Sequence, residues 1–282
     1  MQHMDVGLES LSYRLMTVLA QFLLRLSFGL AVGMGVTSPR QVTSGYFRNH
    51  LFVTLGLATL AALVLAQFSG WGMGFAIAAA VLSYAGSVAW LYEARRAGVV
   101  ILWLVAASSL VAALVSEGDS RVASSLGAAS AGLGDSFSSE LPMLAAAMRP
   151  VSVVFSGLVL GTTIAAMLLG HWYLNAPGME LAPLRRLLVA MTLAVGLQML
   201  VSALGLAAEW RIGLDRSSMW LMLLLMRWFW LLSVLPLVWM TWKTLEIPNT
   251  QSATGLLYVA VIGVFVGELA ALLLSAESTF PL

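Results

Sequence analysis

Three ionisable residues lie inside long apolar runs of the sequence: Arg25 in QFLLRLSFGL, Arg227 in LMLLLMRWFWLL and Glu268 in GVFVGELAALL. A charge at the centre of a bilayer costs about 2.5–3.5 kcal/mol on insertion scales, so such side chains usually face the interior of a helix bundle and pair. Arg227 and Glu268 occupy consecutive runs and are expected to form a buried ion pair, with Arg25 at a similar depth. Such a site either holds two helices in register, or binds a quinone or conducts protons.

The run that holds Arg227 also contains half of the ten tryptophans. Trp228 and Trp230 flank the arginine, where a cation–π contact would help to house the guanidinium. In the next run, Gly263 and Gly267 are spaced four residues apart, which favours close packing between two helices.

Two of the three histidines, His50 and His171, stand near the same predicted face of the membrane, at the ends of apolar runs. His171 is followed by Trp172 and Tyr173, and aromatic residues of this kind are typical of the membrane–water interface. An interfacial role is therefore the leading expectation for both histidines. The alternatives are axial ligation of one b-type haem by the pair, and a hydrogen bond from His171 to a quinone carbonyl or a lipid headgroup. In either case Trp172 and Tyr173 are expected to be further contacts of the haem or quinone.

The sequence around the histidines leaves both alternatives open. The residues that follow His50 at helical spacing, Thr54, Ala58 and Ala61, are small and leave room for a neighbouring helix or a flat cofactor. Arginines nearby are suitable partners for haem propionates or lipid phosphates, and are equally what a cytoplasmic membrane face carries. They are Arg48, Arg95, Arg96, Arg185 and Arg186.

The composition is that of a polytopic membrane protein. Of the 282 residues 60% are hydrophobic and 10% are charged, and the mean hydropathy is +0.94, far above that of soluble domains. The net charge of +1 and the absence of a basic tail exclude nucleic acid as a partner. The absence of cysteine excludes disulfides, thiolate nucleophiles and iron–sulfur clusters.

The apolar runs predict an all-α fold, a single transmembrane domain over residues 1–282 made of a bundle of about eight helices. A helix needs about 20 apolar residues to cross a bilayer, and only helices satisfy the backbone of such long runs in lipid. The expected spans are 14–37, 50–69, 71–93, 98–116, 150–175, 184–208, 217–243 and 252–275.

The connections predict an orientation and one extramembrane segment. More Lys and Arg residues lie in the loops after spans 1, 3, 5 and 7 than on the other side, which favours both termini on the extracytoplasmic side of the cell (inner) membrane. Residues 117–149, between spans 4 and 5, are rich in Ser, Ala and Gly. They are expected to form a flexible loop, or alternatively a docking surface for another protein subunit.

No motif for catalysis by this chain alone is present. The sequence contains no P-loop, no HExxH and no Ser–His pair within a helix, and its only lysine, Lys243, ends a span rather than lying inside one. The pattern therefore favours a non-catalytic membrane subunit of a multi-subunit electron-transfer complex, respiratory or photosynthetic, with a contact to quinone or a b-type haem as a further expectation. The alternatives are a proton-coupled transporter that uses Glu268 with Arg25 and Arg227, and a scaffolding subunit without a ligand.

Overall fold

The computed structural model describes most of the chain. The backbone is described for residues 2–68, 70–130, 140–176, 178–212 and 217–282, and the side chains for residues 11–68, 70–118, 143–176, 178–211 and 217–282. Within these ranges the chain is helical throughout apart from short connections and the last residues, and contains no strand.

Eight helices follow one another along the described backbone. They are α1 (Gln2–Val36), α2 (Ser44–Leu65), α3 (Gly72–Leu91), α4 (Arg95–Ser130), α5 (Glu140–Asn175), α6 (Ala182–Ile212), α7 (Ser218–Glu246) and α8 (Thr250–Glu277). Each contains a stretch of 20 to 33 residues that is long and apolar enough to cross a membrane. The prediction of an all-α, multi-pass membrane protein is confirmed.

The two central helices are α1 and α5. Helix α1 packs against α2, α4 and α5, and α5 packs against α6 and α8, while α3 completes the first half of the bundle and α7 the second. The two halves, α1–α4 and α5–α8, thus have similar neighbours, although the sequence shows no repeat. Because consecutive helices run in opposite directions, we call the side where α1 begins and α8 ends the terminal face, and the other side the opposite face.

Helices α1 and α5 cross at glycines. A Cβ placed on Gly29 would lie 1.7 Å from the carbonyl oxygen of Gly157, and one placed on Gly161 would lie 1.7 Å from the carbonyl carbon of Gly29. Any side chain at this crossing would force the two backbones apart. Small residues permit such close approach, which in a bilayer supplies the packing that hydrophobic burial cannot.

The ends of three helices differ from the prediction. The sequence predicts a loop over residues 117–149, but α4 continues to Ser130 and α5 begins at Glu140; residues 131–139 lie outside the described residues. Helix α1 likewise begins at Gln2, before the start of the predicted span 14–37. Hydropathy predicts only the part of a helix that crosses the membrane. It does not predict the helical turns beyond the membrane, which form wherever residues such as alanine favour a helix.

The residues after α8 fold back onto the terminal face. The backbone N–H of Phe280 donates to the Glu209 carboxylate of α6 at 3.1 Å, and the indole N–H of Trp220 in α7 donates to the Ser278 hydroxyl at 3.0 Å. Phe280 is completely buried. This segment therefore packs on the ends of two helices rather than extending into solvent.

Candidate functional site

An ion pair buried between α7 and α8 is the centre of the site. The Nη1 atom of Arg227 lies 2.5 Å from Oε1 of Glu268, and both side chains are 1% exposed. The short connection between the two helices makes them neighbours, as the sequence predicts, and each residue lies on the face that its helix turns toward the other. The pairing of these two residues is thus confirmed, whereas its role is not tested by the contact.

A third residue completes the surroundings of the carboxylate. Ser156 of α5 donates its hydroxyl to Oε2 of Glu268 at 2.6 Å, so both carboxylate oxygens accept a hydrogen bond. Ser156 is completely buried. Sequence reasoning missed this residue, because a serine inside an apolar helix normally bonds to its own backbone and carries no signal for a distant carboxylate.

The guanidinium of Arg227 is only partly satisfied. Its Nε and Nη2 atoms are buried and find no hydrogen-bond partner in the described part of the chain. An unsatisfied buried donor costs about 1–3 kcal/mol, and more when it is charged. A group of this kind in an otherwise well-bonded core is a candidate for contact with a ligand.

Tryptophan packing near the site differs from the prediction. Trp230 covers the two glycines of α8: a Cβ on Gly263 would lie 2.2 Å from its ring, and one on Gly267 would lie 3.1 Å from its Cβ. The expected cation–π contact with Arg227 is not present among the described side chains; the contact of this type joins Arg185 to Trp242 at 5.9 Å. Packing against glycine positions Trp230 instead.

Helix α7 lies at the edge of the bundle. In an apolar segment of 18 residues within α7, only 22% of the residues are buried, the lowest share among the eight candidate spans. Leu225 and Phe229 are 71% and 62% exposed, and they lie two positions before and two positions after Arg227. The ion pair is therefore separated from the surrounding lipid by a single helix.

Arg25 belongs to a different cluster. Its Nη2 atom lies 2.9 Å from Oε2 of Glu117 in α4, and its Nε donates to Gln21 at 3.2 Å. Arg149 of α5 approaches the same carboxylate at 3.9 Å. The expectation that Arg25 is a counter-charge of Glu268 is wrong at the level of side-chain contact. The carboxylate that Arg25 contacts is that of Glu117, which lies in the predicted loop.

His50 is buried rather than interfacial. It is 5% exposed, its Nδ1 lies 2.5 Å from the carbonyl oxygen of Tyr46, and its ring lies 4.3 Å from that of Tyr46, centroid to centroid. The prediction of an interfacial role is therefore wrong for His50, since the small residues that follow it allow α2 to pack closely against its neighbours. One of these small residues, Ala58, packs against Ala79 and Ala80 of α3. The space beside Ala58, where the sequence leaves room for a neighbouring helix or a flat cofactor, is therefore filled by a helix.

His171 has the opposite environment. Its side chain is exposed at the end of α5, as expected of an interfacial residue. The next residue, Trp172, faces His50 with ring centroids 6.3 Å apart and donates to Thr43 at 3.0 Å. Tyr173 is buried and donates to the carbonyl oxygen of Glu180 at 2.5 Å. Trp172, rather than His171, thus turns toward His50.

Most basic residues of the opposite face are exposed. Arg185 also donates to the carbonyl oxygen of Leu245 at 3.2 Å, and Arg186 donates to Gln41 at 3.2 Å. These bonds tie helix ends together. The exposed members are Arg40, Arg95, Arg96, Arg185, Arg186 and Lys243.

Comparisons define the class no further. Among the described residues no group of three or more His, Asp or Glu side chains is placed to hold a metal ion. Comparison of the chain with protein-family models, with curated proteins and with solved structures finds no match. The fold and the site define a multi-pass membrane protein with an ion pair buried between two adjacent helices near the edge of its bundle.

Proposed function

We propose that this chain is a non-catalytic membrane subunit of an electron-transfer complex, and that Arg227 and Glu268 contact the headgroup of a quinone. The observation that carries the proposal is the pair of buried, unpartnered nitrogens of Arg227. A quinone carbonyl accepts hydrogen bonds, and a guanidinium that already has one carboxylate partner retains donors for it.

The position of α7 supports a lipid-soluble ligand. A quinone moves within the bilayer, and it reaches Arg227 by displacing side chains of one peripheral helix rather than by crossing the whole bundle. Trp228 and Trp230, both half-buried on α7, offer flat surfaces on which a planar headgroup stacks. The ligand would then exchange with the membrane without leaving lipid.

Glu268 supplies the proton chemistry in this proposal. Oxidation of a quinol to a quinone releases two electrons and two protons. The electrons pass to a redox centre held by another subunit, and the Glu268 carboxylate accepts the two protons in turn, releasing the first before it takes up the second. Glu268 and Arg227 together are neutral, so uptake of the proton leaves a single positive charge that is available to a ligand oxygen.

The test measures binding of decylubiquinone to the purified protein, with quenching of tryptophan fluorescence as the readout. Arg227→Lys keeps the positive charge but loses the planar fork of donors, and we expect about tenfold or greater loss of affinity, the equivalent of one charge-assisted hydrogen bond. Ser233→Ala is the matched control, because that hydroxyl bonds only to the carbonyl of Phe229 on the same helix. Unchanged affinity in Arg227→Lys would contradict the proposal.

The subunit assignment has a separate test. The protein extracted from native membranes in mild detergent is expected to co-purify with a protein that shows flavin, haem or iron–sulfur absorbance. A single-component preparation that binds no quinone would contradict it and would favour the second candidate. That candidate is a proton-coupled transporter with Glu268 as its proton-binding group, and the observation that favours it is the burial of this carboxylate between Arg227 and Ser156.

A further inference from the structure

Helix α5 carries a line of polar residues that leads from Glu268 toward the terminal face. Ser156, Ser152 and Arg149 are spaced four and three residues apart, which places them on one side of the helix. Arg149 and Ser156 are seven positions apart, about 10 Å at 1.5 Å per residue. We call these three residues the α5 polar line. Ser156 bonds to Glu268 at its inner end.

The outer end of the α5 polar line meets a carboxylate. Nη1 of Arg149 lies 3.9 Å from Oε1 of Glu117, whose side chain is 18% exposed. Ser152, midway along the line, is buried but retains 6% exposure. Two buried hydroxyls, those of Ser156 and Ser152, thus lie between a group that reaches solvent and a group deep in the bundle, and each hydroxyl can both donate and accept hydrogen bonds.

In the part of the chain that the structure describes, the turn of α5 next to Ser156 on the side of the opposite face carries no polar side chain on this line. Beyond Ser156, the next turn of α5 on this side is formed by Val159 and Leu160, which are buried. On α8 the residue one turn nearer the opposite face is Val264, and on α7 it is Leu231, and both belong to the same apolar core. Glu268 is therefore closed to the opposite face by packed side chains.

We propose that Glu268 exchanges protons with the terminal face alone, along the α5 polar line to Glu117. The inference rests on the proposed function, in which Glu268 receives a proton from a quinol. The Ser156 hydroxyl, which donates to Glu268 in the structure, turns to accept the proton from the Glu268 carboxyl and passes its own proton to a bridging water. Ser152 and a second water repeat the step, and the Glu117 carboxylate accepts the proton and then releases it to solvent. The path requires one water between Ser156 and Ser152 and another between Ser152 and Glu117; a bridging water is nearly as favourable as a direct hydrogen bond.

The charges that face Glu268 are few. Helix α8 packs against α7, α5 and, less extensively, α1. Helix α7 contributes Arg227, α5 contributes the uncharged Ser156, and the charged residue of α1 at this level, Arg25, is engaged with Glu117. Among the described residues, Arg227 is thus the one charged side chain that contacts Glu268.

The test measures protonation of Glu268 without any quinone, so it stands apart from the test of the proposed function. Dicyclohexylcarbodiimide enters from the lipid and reacts only with a protonated carboxyl, and the modified peptide is measured by mass spectrometry. The purified chain is placed in lipid vesicles with independently set internal and external pH. Lys243, the only lysine and exposed on the opposite face, reports the orientation through a membrane-impermeant amine reagent.

The expected result is a labelling rate that falls severalfold when the pH on the terminal face is raised, and that does not respond to pH on the opposite face. Ser152→Val is expected to abolish this response. Thr163→Val is the matched control, because this buried hydroxyl of α5 lies beyond Glu268 toward the opposite face and bonds to the carbonyl of Val159; it should leave the response intact.

Three results would overturn the proposal. They are a rate that follows the pH of the opposite face, a rate that follows neither side, and a response that survives in Ser152→Val. Thermal unfolding of each variant, compared with Thr163→Val, separates a loss of the proton path from a loss of fold. Failure of quinone binding with an intact one-sided response would overturn the proposed function and leave a one-sided proton site in place.

Discussion

Arg227 and Glu268 face each other across α7 and α8, with 2.5 Å between Nη1 and Oε1 and almost no exposed surface on either side chain. Each charge loses its hydration on folding, and the attraction between them only offsets that cost. Net stabilisation is therefore a poor explanation for keeping the pair. This explanation can be tested directly, because removing one partner of the pair should destabilise the protein far more than removing both.

Glu268→Leu alone is expected to lower the free energy of unfolding by about 3–5 kcal/mol, because it leaves the Arg227 guanidinium buried and unpaired. Combining it with Arg227→Met should restore most of the stability, since both charges are then absent. Denaturant unfolding in detergent micelles measures both variants. A double variant as unstable as Glu268→Leu would mean that the pair itself holds α7 against α8.

The glycine crossing of α1 and α5 gives the second prediction. Gly29→Ala places a methyl group where the backbone of α5 now lies, and overpacking of this kind costs about 1–3 kcal/mol or more. Gly196→Ala is the control, because a Cβ at this position of α6 meets nothing within 4 Å. We expect thermal stability to fall in Gly29→Ala and to stay level or rise in Gly196→Ala; equal effects would show that the crossing tolerates separation.

The membrane spans and the central ion pair are predictable from the sequence because both follow from the cost of placing polar groups in lipid. Apolar length alone sets where a helix crosses, and an arginine and a glutamate in consecutive runs have few other partners. The same reasoning failed for Arg25, since Glu117 lies in a Ser- and Ala-rich segment that carries no sign of folding back against α1 as a helix.

The burial of His50 differs from the prediction for a related reason. Position near a span end predicts exposure only if the residue faces outward, and the direction of a side chain depends on which helices are neighbours. Those neighbours are set by contacts distant in sequence, such as that between Tyr46 and the carbonyl oxygen of Ala165 at 3.3 Å. Ser156 could not be found either, because its partner Glu268 is 112 residues away.

The third prediction concerns the cluster around Arg25. Glu117→Gln removes the charge that Arg25 contacts at 2.9 Å, and the loss of a charge-assisted hydrogen bond should cost about 1.5–3 kcal/mol. Glu246→Gln is the control, since its pair with Lys243 is about half exposed and such pairs contribute at most about 1 kcal/mol. Equal unfolding midpoints for the two variants would show that Arg25 does not depend on Glu117.

The fourth prediction concerns the segment after α8. Glu209→Ala removes the acceptor of the Phe280 N–H, and a buried donor left without a partner costs about 1–3 kcal/mol. Hydrogen exchange of the amides that follow α8 should accelerate, while exchange in the centre of α8 stays slow. Glu277→Ala, at an exposed neighbouring position, should change neither. Unaltered exchange in Glu209→Ala would show that burial of Phe280 alone holds the segment in place.

The last prediction separates the two histidines. His171 is exposed, so His171→Ala should alter stability by no more than about 0.5 kcal/mol. His50→Ala, in contrast, empties a buried position beside Tyr46 and should clearly lower the unfolding midpoint.

The prediction that the two histidines ligate a haem gives a different expected result for His171→Ala. If the pair ligates a b-type haem, the purified protein shows a reduced α band that disappears in His171→Ala, and the substitution then destabilises the protein as ligand binding energy is lost. A band that survives His171→Ala but not His50→Ala would identify His50 as a ligand that pairs with some other group.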